Sequence, residues 1–137
     1  MRVFFFSSFA ENEDDCETQA MQEEGSIFSP SYPKNYPDDA VCRWIIQIPS
    51  EDLGKWQYIK LTFVEFHLEY EPSCFFDKLT VYDSLNENNT MLGTFCGDNI
   101  PPPLFSSGEK MVVKFTSDYS MTFKGFNATI EFTNTLG

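Results

Sequence analysis

Positive charge is scarce in this chain: nine Lys and Arg stand against 21 Asp and Glu, a formal net charge of −12 over 137 residues. Phosphate backbones are held by clustered basic side chains, so the shortage argues against nucleic acid and for a metal cation, a cationic peptide or a basic protein as partner. Histidine is represented by His67 alone, and Cys16, Cys42, Cys74 and Cys96 never approach C-x-x-C spacing, so a zinc site lacks its ligand set. Missing too are H-E-x-x-H, G-x-S-x-G, G-x-G-x-x-G and the P-loop. His67 beside Glu69 has no activated Ser or Cys to serve; it reads as structural or exposed, and the chain as non-catalytic. No apolar run reaches the roughly 18 residues of a membrane-spanning helix, and there is no internal repeat or low-complexity tract.

What is present is core-forming material. Hydrophobic residues make up 42% and aromatics 17%, with 15 Phe, enough for one packed domain at this length. The charge is uneven: residues 1–24 hold seven acids and one base, and residues 25–137 carry about −6. The four cysteines read as two disulfides formed in an oxidising compartment, with three connectivities open. Met1–Ala10 has a basic residue, an apolar run and a small-x-small end, like a secretory signal shorter than usual; a truncated leader, a mis-assigned start and a cloning scar remain open. Residues 11–24 are acidic and poor in apolar side chains, a solvated lead-in pinned by Cys16.

Beyond Gly25 the hydrophobic period is two. Trp44, Ile46 and Ile48 alternate with Arg43 and Gln47; Ile59, Leu61 and Phe63 with Lys60 and Thr62; Leu79 and Val81 with Lys78, Thr80 and Tyr82. Met111, Val113 and Phe115 alternate with Lys110 and Lys114, and Phe126, Ala128, Ile130 and Phe132 with Asn127, Thr129 and Glu131. Five such runs between Pro-, Gly- and Asn-rich turns predict half-buried antiparallel strands and an all-β, two-sheet sandwich. Pro30, Pro33 and Pro37, and the run Pro101-Pro102-Pro103, mark loops, since proline removes a ladder donor.

Three acids sit beside these runs: Glu69 and Asp77 on either side of Cys74, and Asp118 in Phe115-Thr116-Ser117-Asp118. Carboxylates at strand ends and loops are hard oxygen ligands of the kind calcium takes. Around them lie Gly25-Ser26-Ile27-Phe28-Ser29-Pro30, Tyr32-Pro33-Lys34-Asn35-Tyr36-Pro37, Cys42-Arg43-Trp44-Ile45-Ile46, Phe95-Cys96-Gly97 and Gly125-Phe126-Asn127-Ala128. Taken in order, these segments resemble the CUB domain, an extracellular module, over residues 16–132. That leaves residues 1–15 as a lead-in and 133–137 as a tail.

The resemblance implies jelly-roll connectivity, the disulfides Cys16–Cys42 and Cys74–Cys96, and a secreted or extracellular setting. It implies Ca²⁺ as cofactor, held by Glu69, Asp77, Asp118 and the Ser120 carbonyl, with Tyr36 hydrogen-bonded to the acids from behind. Where the family often has Asn this chain has Met121, which removes one oxygen ligand. The function implied is protein–protein recognition, a partner's Lys or Arg docking at the calcium-ordered acids. Two alternatives are a free-standing spermadhesin-like protein that binds glycans or other ligands, and a non-catalytic piece of a larger extracellular protease. Asn88-Asn89-Thr90 and Asn127-Ala128-Thr129 are glycosylation sequons.

Overall fold

The structure, a computed structural model, describes residues 16–84 and 90–136. Nine strands follow in order: β1 (Thr18–Met21), β2 (Gly25–Phe28), β3 (Val41–Gln47), β4 (Tyr58–His67), β5 (Lys78–Tyr82), β6 (Met91–Phe95), β7 (Leu104–Phe105), β8 (Lys110–Thr116) and β9 (Gly125–Thr133). They make a five-stranded sheet in the order β1-β3-β8-β5-β6 and a four-stranded sheet in the order β2-β9-β4-β7. This is the all-β, two-sheet sandwich expected from the alternation, with the jelly-roll-like arrangement that the resemblance implies.

The alternating residues do what their period demands. Trp44 and Ile46 of β3, Leu79 and Val81 of β5, and Met111, Val113 and Phe115 of β8 are buried. They face Ile59, Leu61 and Phe63 of β4 and Phe126, Ala128, Ile130 and Phe132 of β9, all in one core. Phe126 lies at its centre, with ring centroids 5.6 Å from Trp44, 5.6 Å from Phe115 and 6.4 Å from Phe63. Such edge-on pairs add to the area that each ring removes from water.

Two features depart from simple alternation. Residues 18–21, expected as part of a solvated lead-in, form β1 and pair in parallel with β3, Thr18 opposite Arg43 and Met21 opposite Ile46. The strand's side chains are largely exposed, so it carried no hydrophobic signal; the adjacent Cys16–Cys42 bond ties it down. In β4 the register against β9 shifts between Phe63 and Glu65. That irregularity leaves Val64 exposed and returns Phe66 and then Leu68 to the core, so the chain leaves the sheet with Glu69 at the sandwich's end. Register breaks of this kind commonly re-aim side chains beside sites.

Candidate metal centre

Glu69 follows β4 of the four-stranded sheet, whereas Asp77 precedes β5 and Asp118 follows β8 of the five-stranded one. The two sheets therefore bring together acids that are 8 and 41 residues apart in sequence, and one carboxylate oxygen from each lies within 4.8 Å of the others.

Asp77 is fully buried. Its Oδ2 accepts the Tyr36 hydroxyl at 2.5 Å and its Oδ1 accepts the Asp118 amide at 2.9 Å. Tyr36, itself 1% exposed, also accepts the Glu69 amide at 3.1 Å. One phenol thus joins two of the three acids. Its ring sits edge-on to Phe115 at 5.0 Å and its amide is bonded to the Phe123 carbonyl. Gly125 makes room for it: with φ at +94°, a Cβ there would come within 3.3 Å of the Tyr36 ring and would collide with Ser29.

Asp118 is held from several sides. Its carbonyl accepts the Asp39 amide at 2.8 Å, and its Oδ1 accepts the Ser120 amide at 3.3 Å. Next to it the buried Ser117 hydroxyl donates to the Pro37 carbonyl and accepts the Ala40 amide. Ser120 is half-buried beside the trio, and Met121 is exposed with φ at 69°, in the left-handed region. The loop between Glu69 and Asp77 is organised by Glu71, whose Oε1 accepts the amides of Ser73 and Phe75. The structure joins Cys74 to Cys96. Nothing in the sequence signalled the role of Glu71.

The electrostatics are unbalanced. Burial, and then the carboxylates of Asp118 and Asp77, push the Glu69 carboxyl above its usual range. Burial also raises Asp77, against the opposing hydrogen bonds from Tyr36 and Asp118. Glu69 Oε1 is buried with no hydrogen-bond partner, and a buried anion in that state is costly. A divalent cation fits such a set of oxygens: three carboxylates around a point, one oxygen unpartnered, and charges that repel one another.

The other residues singled out from sequence lie elsewhere. His67 is exposed and stacks on Phe123 at 4.8 Å, away from any nucleophile. Asn127 is half-buried on β9 opposite Phe28 and Glu65, while Asn88 lies outside the described residues. One network had no sequence signal: Glu65 of β4 accepts the Tyr32 hydroxyl and pairs with Lys124 at 3.0 Å. No helix among the described residues is long and apolar enough to cross a membrane.

The fold and site define a class of module: a disulfide-stapled β-sandwich with an acidic cluster at one end. The CUB domain family matches residues 16–130, and the chain belongs to it. It is 42% identical to human Tolloid-like protein 1 over 117 residues, 85% of this chain and 11% of that protein. Against dog cubilin it is 37% identical over 102 residues, 74% of this chain and 3% of that protein. Among solved structures, the CUB1-EGF-CUB2 domains of rat MASP-1 align at 32% identity with a TM-score of 0.72, covering 87% of this chain and 44% of that one. The MASP-1 CUB2 domain, solved bound to Ca²⁺, aligns at 24% identity and a TM-score of 0.72 over 85% of this chain and 99% of that one, a likeness of fold. The chain thus spans about a tenth or less of the length of these two curated relatives. CUB domains are non-catalytic modules of extracellular proteins and mediate protein interactions.

Proposed function

We propose that this CUB domain binds Ca²⁺ at Glu69, Asp77, Asp118 and the Ser120 carbonyl, with Tyr36 behind them. We further propose that the ordered acidic surface recognises a basic side chain of an extracellular protein. The observation that carries the reading is the convergence of three carboxylates within 4.8 Å, one of them with a buried, unpartnered oxygen. When bound, the ion supplies charge neutralisation and order. Three carboxylates around a divalent cation leave a local charge of about −1, which suits the Lys or Arg of a partner, and loops fixed in advance reduce the ordering cost of binding. Secretion accords with the two disulfides, and Asn88 and Asn127 are the proposed glycan attachment points.

The 42% identity with Tolloid-like protein 1 favours, as the setting, a module spanning residues 16–132 within a larger extracellular protease over a free-standing spermadhesin-like protein. Calcium dependence of thermal unfolding tests the site. Extracellular modules bind with dissociation constants of about 10⁻⁴–10⁻³ M, so millimolar Ca²⁺ should raise the melting temperature. Chelator should reverse the rise, and Asp118→Ala should remove it. Superimposable curves in calcium and chelator for the oxidised protein would remove the metal site.

A further inference from the structure

Of the twelve large hydrophobic side chains exposed among the described residues, five lie within two residues of a proposed calcium ligand. Tyr70 follows Glu69, Phe75 and Phe76 precede Asp77, Tyr119 follows Asp118, and Met121 follows Ser120. Their exposures are 70%, 73%, 45%, 79% and 60% in that order. Singly exposed apolar residues are ordinary, but here every loop of the acidic cluster carries one. Adjacent Cα atoms are only about 3.8 Å apart and the three carboxylates meet, so each of these apolar side chains branches from the chain within two residues of a proposed ligand.

The backbone beneath part of this set is held in place. Phe75 is on the loop fixed by the Cys74–Cys96 bond, and its amide is bonded to Glu71 Oε1 at 2.9 Å. Tyr70 lies against Gly97, where φ is +83° and a Cβ would come within 3.1 Å of the tyrosine ring. Pre-positioned aromatic side chains that lose little freedom on contact are what recognition surfaces use.

We propose that these side chains form an aromatic collar around the acids, and that it selects a protein segment in which the docking Lys or Arg is flanked by apolar residues, rather than any exposed basic side chain. The inference rests on the proposed calcium-ordered site and specifies what that site recognises. A lysine has an apolar stem below its ammonium, and aromatic faces attract cations. A central negative cluster with an apolar rim therefore matches a basic side chain between two aliphatic ones. Charge decides against an anionic bilayer, because the chain carries −12 in total and repels like-charged surfaces.

Three short peptides test it by NMR titration of the oxidised domain in millimolar Ca²⁺: one with Lys between two Leu, one with Lys between two Ser, and one with Gln between two Leu. The Leu-flanked lysine peptide should bind about fivefold to tenfold more tightly than the Ser-flanked one, the glutamine peptide should not bind, and chelator should abolish all binding. In the double variant Phe75→Ser, Tyr119→Ser the two lysine peptides should become equal while the calcium-induced rise in melting temperature persists. Equal binding of both lysine peptides to the unmodified domain, or a preference that survives the double substitution, overturns the collar and leaves basic-side-chain docking standing. Failure of both lysine peptides in calcium, or binding undiminished by chelator, overturns collar and docking together. Calcium-dependent sedimentation with vesicles of phosphatidylcholine and phosphatidylserine, lost in the double variant and without any peptide preference, overturns it in favour of a lipid surface.

Discussion

Glu65 and Glu69 are four residues apart on one stretch of chain, and their surroundings are opposite. Glu65 is provided for: the Tyr32 hydroxyl first, and then the Lys124 ammonium, hold its carboxyl below the usual glutamate range, and Lys124 is raised in return. Glu69 is pushed the other way, by burial first and then by the facing Asp118 and Asp77. The first carboxylate has its partners within its own chain. The second has an amide-bonded backbone, an unpartnered oxygen and like-charged neighbours. Such a cluster accords with the proposed cation from outside, and the contrast in surroundings supports that reading better than acidity does.

Removing the support behind the acids should have the largest effect. Tyr36→Phe takes the hydroxyl from both Asp77 and the Glu69 amide. A buried group left without its partner costs about 1–3 kcal/mol, and more when charged, so denaturant unfolding should show a loss of about 2–4 kcal/mol. A change near zero would mean that Asp77 does not depend on the phenol.

Glu69→Gln sharpens the contrast next. With the mutual repulsion relieved, the variant should melt at a higher temperature than the parent in chelator. It should also lose the calcium increment, about 1.4 kcal/mol at ten times the dissociation constant. A variant less stable in chelator would show that the Glu69 charge is already compensated. Met121→Asn follows in size. Asparagine tolerates the left-handed backbone found there better than methionine does and returns an oxygen to the loop. Stability in chelator should rise by up to about 1 kcal/mol, with tighter calcium binding by calorimetry.

The smallest effect is the pH response of the two glutamates, read from side-chain carboxyl ¹³C shifts in chelator. Glu65 should titrate below the ordinary value of 4.5 and Glu69 above it. A lowered folded-state value means a contribution that is present above the unfolded pKa and lost as pH falls through the folded one; a raised value means one present below the unfolded pKa and lost as pH rises through the folded one. Acidification in chelator should therefore weaken the Glu65 network while relieving Glu69. Titration of both in the same direction would erase the distinction between the two regions.

Much of the sandwich was legible before any coordinates. β3, β4 and β9 bury one face against the core, so burial wrote a period of two into their sequences, and β5 and β8 carry the same period with Thr80 and Val112 buried on the other face as well. The edges were not legible. β1 is nearly all exposed, β7 has two residues, and β6 is no more than partly buried and interrupted by Gly93, so packing left little pattern in them. The acids followed the same logic. Nothing in the spacing of positions 69, 77 and 118 says that they converge, and only the resemblance named them together. The pairing of Tyr32 and Lys124 with Glu65 spans 33 and 59 residues and left no local trace.

Both disulfides staple the five-stranded sheet. Cys16 and Cys42 tie the start of β1 to β3, and Cys74 and Cys96 tie the chain before β5 to the chain after β6. Neither crosses to the four-stranded sheet, which adheres through side-chain packing and, at the site end, the Tyr36 hydroxyl and the Leu68 amide bonded to the Gly97 carbonyl. The acidic cluster does cross, with Glu69 from one sheet and Asp77 and Asp118 from the other. A cation shared among them is a rivet between two plates whose covalent stitching runs through only one. With the proposed Ca²⁺ bound, the site end would be the fastened end under a load that shears the sheets past each other, and the calcium concentration would set how firmly it holds.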